Sequence, residues 1–148
     1  MKFMGKAVVA VAAVGLAAGS AIGAGTANAA ELHGAIAFSV EDWSYGTSVN
    51  AGSRGEAIDE AMANCSYGGI SDCAVLVAWS DGCGALVYRN DAGDDVAVGS
   101  GAGRDRASAL REAYSSLSRV YPRAMLANVG SADLSATAIN DVICTANA

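Results

Sequence analysis

The sequence predicts an α+β fold: an antiparallel sheet with two helices packed against it, built from two similar ββα halves and stapled by disulfides. Three observations carry this. The chain repeats itself at about fifty residues: Gly34-Ala35-Ile36-Ala37-Phe38 is matched by Gly84-Ala85-Leu86-Val87-Tyr88, and Ser48, Arg54, Ala57 and Ala61 by Ser100, Arg106, Ala109 and Ala113. Two segments have helical apolar periodicity behind capping residues, and several short apolar runs alternate with turn residues. Four cysteines follow an apolar leader. Two copies are too few for a solenoid, so the repeat implies one domain with two halves, about 34–80 and 84–144.

The helices are the clearest elements. Ser53-Arg54-Gly55-Glu56 reads as a capping box, in which the serine accepts from the Glu56 amide and Glu56 reaches back to the cap. Ala57, Ile58, Ala61, Met62 and Cys65 then share one face. The second helix starts at an Asp105 cap, presents Ala109, Leu110, Ala113, Tyr114, Leu117 and Tyr121 on one face, and is expected to run until Pro122 stops it. Ile58, Met62, Leu110 and Leu117 are the side chains expected to bury against the sheet.

Each half reads as strand, strand, helix, strand. In the first, Val40-Glu41-Asp42 turns Ala35–Ser39 back into Trp43–Val49. Ala74 to Trp79 is a continuous apolar run, as in a strand covered on both faces. Asp81-Gly82 suits a two-residue hairpin joining that run to Ala85–Tyr88. Asn90 to Asp94 forms the next turn, before Asp95–Gly99. A last strand falls near Ala138–Cys144, and residues 123–136 carry no clear pattern.

The first 29 residues read as a secretory signal peptide. Lys2 and Lys6 precede an uncharged stretch from Ala7 to Ala24, and Ala27-Asn28-Ala29 is an A-x-A cleavage site. The stretch is built largely from Ala and Gly, too weakly apolar for a preferred membrane anchor. Residues 30–148 are then a single exported domain, secreted or at the cell envelope, with no membrane span. Both lysines of the chain leave with the leader, so the formal charge of −6 becomes about −8. A nucleic acid or an anionic membrane surface would need a basic face, which this balance excludes.

An even number of cysteines in an exported chain reads as disulfides: Cys65, Cys73, Cys83 and Cys144. No C-x-x-C pair favours a zinc site. Four cysteines allow three connectivities. Cys65 closes a helix and Cys73 opens the next strand, a short return that brings their Cα atoms within bridging distance. Cys83 then pairs with Cys144.

The Gly-Ala-Ile-Ala-Phe-Ser opening, the capped Ala-rich helix ending at Cys65, the Cys73–Trp79 strand and the Asp81-Gly82-Cys83-Gly84-Ala85-Leu86 turn resemble domain of unknown function 4189, a family of small exported bacterial proteins. The resemblance spans nearly all of Gly34 to Cys144. It implies location and fold and supplies no catalytic residue. The second half departs from the pattern: its helix lacks the terminal Cys and the next segment lacks the Cys-led strand.

Candidate chemistry is sparse. Gly99-Ser100-Gly101-Ala102-Gly103 sits before a helix, as a phosphate loop would, but its spacing is G-x-G-x-G and it reads more simply as a flexible turn. Arg54 and Arg106, at matching helix starts, are candidate anion ligands or plain surface arginines. His33 would have to serve any Ser-His-Asp triad, and beside the cleavage site it is expected to be exposed. Glu41-Asp42 and Asp94-Asp95 are acidic turns that would supply a glycosidase-like pair only by facing one another. Asp91, Asp94 and Asp95 lack the spacing of a calcium loop. Trp43, Tyr45, Trp79 and Tyr88 are aromatic candidates for a binding surface, Trp79 being explained more simply by core packing. The expected function is an exported, non-enzymatic module that binds a protein or envelope component. The alternative is a small envelope hydrolase using a carboxylate pair. No cofactor or metal is implied.

The mature protein is expected to begin at Ala30. Intact mass of protein from culture supernatant or envelope checks this, and a mature pool retaining Met1 is the contrary result.

Overall fold

In each half, one central strand is apolar on both faces, and the two faces differ in what they accept. Along β1 (His33–Phe38), Ala35 and Ala37 point to a helix, while Ile36 and Phe38 point the other way. Along β4 (Cys83–Arg89), Ala85 and Val87 point to the second helix and Leu86 away from it. This period-two alternation places small residues under the helices and larger ones between the sheets. The computed structural model describes residues 30–92 and 97–148, all but Ala30 belonging to a unit formed by residues 31–148. The expected signal peptide, and Asp94 and Asp95, lie outside the described residues.

The remaining elements are β2 (Tyr45–Ala51), α1 (Arg54–Cys65), β3 (Ala74–Ser80), β5 (Val98–Gly103), α2 (Arg106–Ser118), a 3-10 turn (Pro122–Ala124), α3 (Met125–Asn128), α4 (Ala132–Ser135) and β6 (Thr137–Cys144). They form two antiparallel three-stranded sheets, ordered β2-β1-β3 and β5-β4-β6. Each half is thus strand, strand, helix, strand, with its first strand central. The strands divide between two sheets that pack face to face through Ile36, Phe38, Trp79 and Leu86, with one helix outside each.

The division into two sheets changes the role of Asp81-Gly82. It is not a hairpin, because β3 pairs with β1 and β4 with β5 and β6. Asp81 takes the left-handed region at φ 46° and passes the chain from one sheet to the other. Its amide donates to Leu32 O at 2.9 Å, and its carboxylate accepts from the amide of Leu32 and the side chain of Asn147. Gly82 is held by the buried Thr145. β3 is accordingly an edge strand, with Ala74 and Val75 exposed, and not a strand covered on both faces.

Gly99-Ser100-Gly101-Ala102-Gly103 is likewise not a turn: it is β5 itself. A Cβ on Gly101 would collide with the backbone of Ala109, Glu112 and Ala113, and one on Gly99 with Ala113 and Leu117. Alternate glycines let α2 lie almost on the strand. Gly46 does the same under α1. Ser100, on the opposite face, donates to Leu76 O on β3 at 3.2 Å and ties the sheets together.

The helices keep their caps. Ser53 accepts from the Glu56 amide at 3.2 Å, and Glu56 reaches back one residue further than expected, to the Gly52 amide. Asp105 and Ser108 form a reciprocal box. α2 ends at Ser118, before Pro122, which instead begins the 3-10 turn. Ala57 and Ala61 match Ala109 and Ala113, all fully buried. Ser48 does not match Ser100. Ser48 lies opposite Ala35, whereas the residue opposite Ala85 is Gly101. A register shift between His33 and Ala35, with Asn50 at φ 65°, adds a residue to β2. Leu117 is fully buried, while Ile58, Met62 and Leu110 are only partly buried at the margins of the cores.

Cys65 pairs with Cys73 and Cys83 with Cys144. The second pair links direct cross-strand neighbours of β4 and β6. Where the second half lacks the Cys65–Cys73 staple, Asn128 of α3 donates to Arg111 O of α2 at 3.0 Å. Chain-entropy arithmetic gives about 2.5 kcal/mol for the short loop and about 4 kcal/mol for the long one. Cys144→Ser should therefore lower the urea midpoint more than Cys73→Ser. The packing makes a second prediction. A Cβ at Gly84 would overlap the Trp79 ring, which Gly34 blocks from the other central strand. Gly84→Ala is expected to cost about 1–3 kcal/mol. Gly55→Ala, at a helical position with nothing within 4 Å, should cost nothing in the same denaturation experiment.

Candidate functional site

The end of the sandwich where β1 and β4 finish carries two exposed aromatic groups, Trp43 and Tyr45. Phe38 and Tyr88 hold matching places in the two central strands. Trp43 stands against both, with ring centroids 5.8 Å from Phe38 and 6.1 Å from Tyr88, each contact edge-on at 84° and 80°. Such geometry suits the aromatic quadrupole. Tyr45 lies directly opposite Phe38 across the β1–β2 ladder, so their side chains share a face. Phe38 is buried, whereas Trp43 is 45% and Tyr45 39% exposed.

Trp43 does not reach this position by a relaxed backbone. It sits at φ 54°, a region that L-residues with large side chains rarely adopt. The turn that carries it is fastened from several sides. Ser39 Oγ donates to Asp72 Oδ1 at 2.5 Å and accepts from the Asp42 amide at 3.1 Å. The Glu41 amide donates to Asp72 Oδ2 at 3.1 Å, and the Ser39 amide to Ser44 O at 2.9 Å. Asp72 precedes Cys73, whose disulfide reaches the end of α1, and Ser44 Oγ donates back to Cys65 O. The Ser39 hydroxyl, followed by the Glu41 amide, holds the Asp72 carboxyl below the usual aspartate range.

Three of the aromatic residues singled out in the sequence, Trp43, Tyr45 and Tyr88, thus gather at one end. Trp79 does not join them. It is 5% exposed, wedged at the glycine end of the central strands. Arg54 and Arg106 also lie elsewhere, since both helices start beside the opposite ends of β1 and β4. Arg54 donates to Ala78 O at 3.2 Å, and Arg106 is exposed with no hydrogen bond or ion pair among the described residues. Asp72 and Ser39, which hold the turn, were not legible as site residues. A serine after an apolar strand and an aspartate before a cysteine carry no pattern of their own.

His33 corrects another expectation. It is not a free terminal residue but the half-buried first residue of β1, opposite Ser80 and close to Asp81. Its Nδ1 is buried without a partner. The Asp81 carboxyl is lowered first by the Leu32 amide, then by Asn147, and only then by the charge of His33. Neither Ser80 nor Asp81 hydrogen-bonds to His33 among the described residues, so no triad is assembled. Asp91 pairs with Arg89 and accepts from Tyr121 Oη at 2.9 Å, so its carboxylate is engaged within the fold. Among the described residues no cluster of metal-ligating side chains and no pocket occurs, and no helix is long and apolar enough to cross a membrane.

The family described as a domain of unknown function, DUF4189, matches residues 33–125, more than half of the chain. The chain belongs to that family. The match covers β1 through α2 and stops at Met125, so α4, β6 and Cys144 lie beyond it. Membership adds no site residue to those the geometry shows. No curated protein and no solved structure matches the chain.

The lowered carboxyls set the direction of the pH response. Asp72, Asp81 and Asp105 all favour the ionised form in the native state. Their contribution is present above the unfolded-state value and is lost as pH falls through the lowered native one. The urea midpoint should therefore drop on acidification from about pH 6 to pH 3, and Asp72→Asn should flatten that drop. An unchanged slope in the variant would remove Asp72 from the account.

Proposed function

We propose that the chain is exported and acts outside the cytoplasm as a non-enzymatic binding module, engaging a protein or envelope component through the aromatic end of its sandwich. The observation that carries this is Trp43: a large aromatic held at positive φ, nearly half exposed, on a turn fastened by Ser39, Asp72 and the Cys65–Cys73 staple. Strained positions persist only where the surroundings over-determine them, and they concentrate at sites of function. An exposed aromatic surface held rigidly loses little conformational entropy on binding. Export is supported by the A-x-A leader and by two disulfides, which persist in oxidising compartments.

No pocket occurs among the described residues, and a surface of exposed aromatic side chains suits contact with a macromolecule. The hydrolase alternative would need Glu41 or Asp42 to face Asp94 or Asp95 across a bound substrate; Glu41 and Asp42 by themselves are neighbours on one exposed turn, and Asp94 and Asp95 lie outside the described residues. The test is capture from envelope extract by the oxidised protein. Trp43→Ala and Tyr88→Ala should keep both disulfides and the far-UV spectrum while weakening capture by roughly tenfold or more. Undiminished capture by both variants would place the contact elsewhere.

A further inference from the structure

We infer that the occupant of the aromatic end is a basic peptide segment of a partner protein, with an arginine or lysine side chain seated on Trp43 and flanked by the carboxylates of its turn. The inference rests on the binding role assigned to that end. Three carboxylates gather there: Glu41 and Asp42 immediately before Trp43, and Asp72 beneath the turn. Only the backbone amides of Glu41 and Asp42 are engaged in the hydrogen bonds that hold the turn. Among the described residues the ion pairs are Arg89–Asp91 and Arg104–Asp105, so none neutralises these three. Asp72 is held ionised by its donors. Uncompensated negative charge beside an exposed indole is the complement of a cation, which an aromatic face attracts through its quadrupole. The acidic balance of residues 30–148, which contain no lysine, steers a cationic partner toward the chain from a distance. A neutral glycan would use the ring and leave the charge unanswered.

The chain has two tryptophans, which allows a direct reading. A blocked peptide of alternating arginine and glycine, its glutamate counterpart and a chitin oligosaccharide are each titrated into the purified, oxidised protein. The two indole N–H signals are followed by NMR and assigned with Trp43→Phe. The arginine peptide should move the Trp43 signal and leave the buried Trp79 signal in place. Its affinity should fall as salt rises past about 0.15 M. Trp43→Ala should weaken it about two- to fivefold. The double variant Glu41→Gln, Asp42→Asn touches no side-chain hydrogen bond of the turn and should weaken it comparably and flatten the salt dependence. Tighter binding of the oligosaccharide at Trp43, or an arginine-peptide affinity indifferent to the double variant, overturns the basic-peptide inference and leaves the binding surface standing. Arginine-peptide binding that moves neither indole signal overturns both.

Discussion

The benzo ring of Trp79 lies over the Cα positions of both Gly34 and Gly84, the corresponding residues of the two central strands. Any Cβ at either position would occupy the ring's volume. The contact sets how the two halves meet. It requires glycine at the same place in both copies of the repeat, although glycine is unfavourable within a strand. It leaves Trp79 Nε1 buried without a partner, a desolvation cost the packing has to offset. Above it the inner face steps through Ile36 and Leu86 to Phe38 and Tyr88, so each layer is a pair of matching residues. The two tryptophans close this column at its ends, Trp79 inside and Trp43 at the surface.

The outer faces follow the opposite rule. Ala35, Ala37, Ala57 and Ala61 on one side, and Ala85, Ala109 and Ala113 on the other, let helix and sheet approach closely over Gly46, Gly99 and Gly101. Each such contact buries little apolar area, so each contributes little. The composition is 53% apolar, yet the largest fully buried side chains are few. A domain of this kind gains from covalent staples: one disulfide closes the end of α1 and the other joins β4 to β6.

What was legible in the sequence follows from this division. The capped helices, the order of elements in each half and the cysteine pairing depend on local chemistry or chain proximity, and they stand out. The partition into two sheets does not, because Ala74–Trp79 reads as an apolar run whether its neighbour is β1 or β4. Asp81-Gly82 resembles a hairpin turn because a tight sheet-to-sheet passage demands the same positive φ. The glycines of β5 look like a loop because their purpose, close approach of α2, is tertiary. Of the candidate site, the aromatic residues were visible by type. Their assembly was not, since it joins residues from strand ends about fifty positions apart and a turn whose fastening depends on Ser39 and Asp72.

Trp43 invites a purely structural account, as a plug over Phe38 and Tyr88. The geometry limits how far that account reaches. Packing alone favours a position that removes the ring from water, yet Trp43 remains 45% exposed while its backbone occupies the left-handed region, at a cost on the order of 1–3 kcal/mol. An asparagine or glycine in a longer turn would close the same hairpin without strain. The fastening acts on the backbone of the turn and not on the indole: Asp72 and Ser39 hold the amides of Glu41 and Asp42, and Ser39 with Ser44 closes the loop. What that network fixes is the direction in which residue 43 projects. The edge-on contacts with Phe38 and Tyr88 then fix the ring's tilt, one from each half. Trp43 thereby joins the two halves of the core at the surface, touching Phe38 of one and Tyr88 of the other at the place where both central strands end.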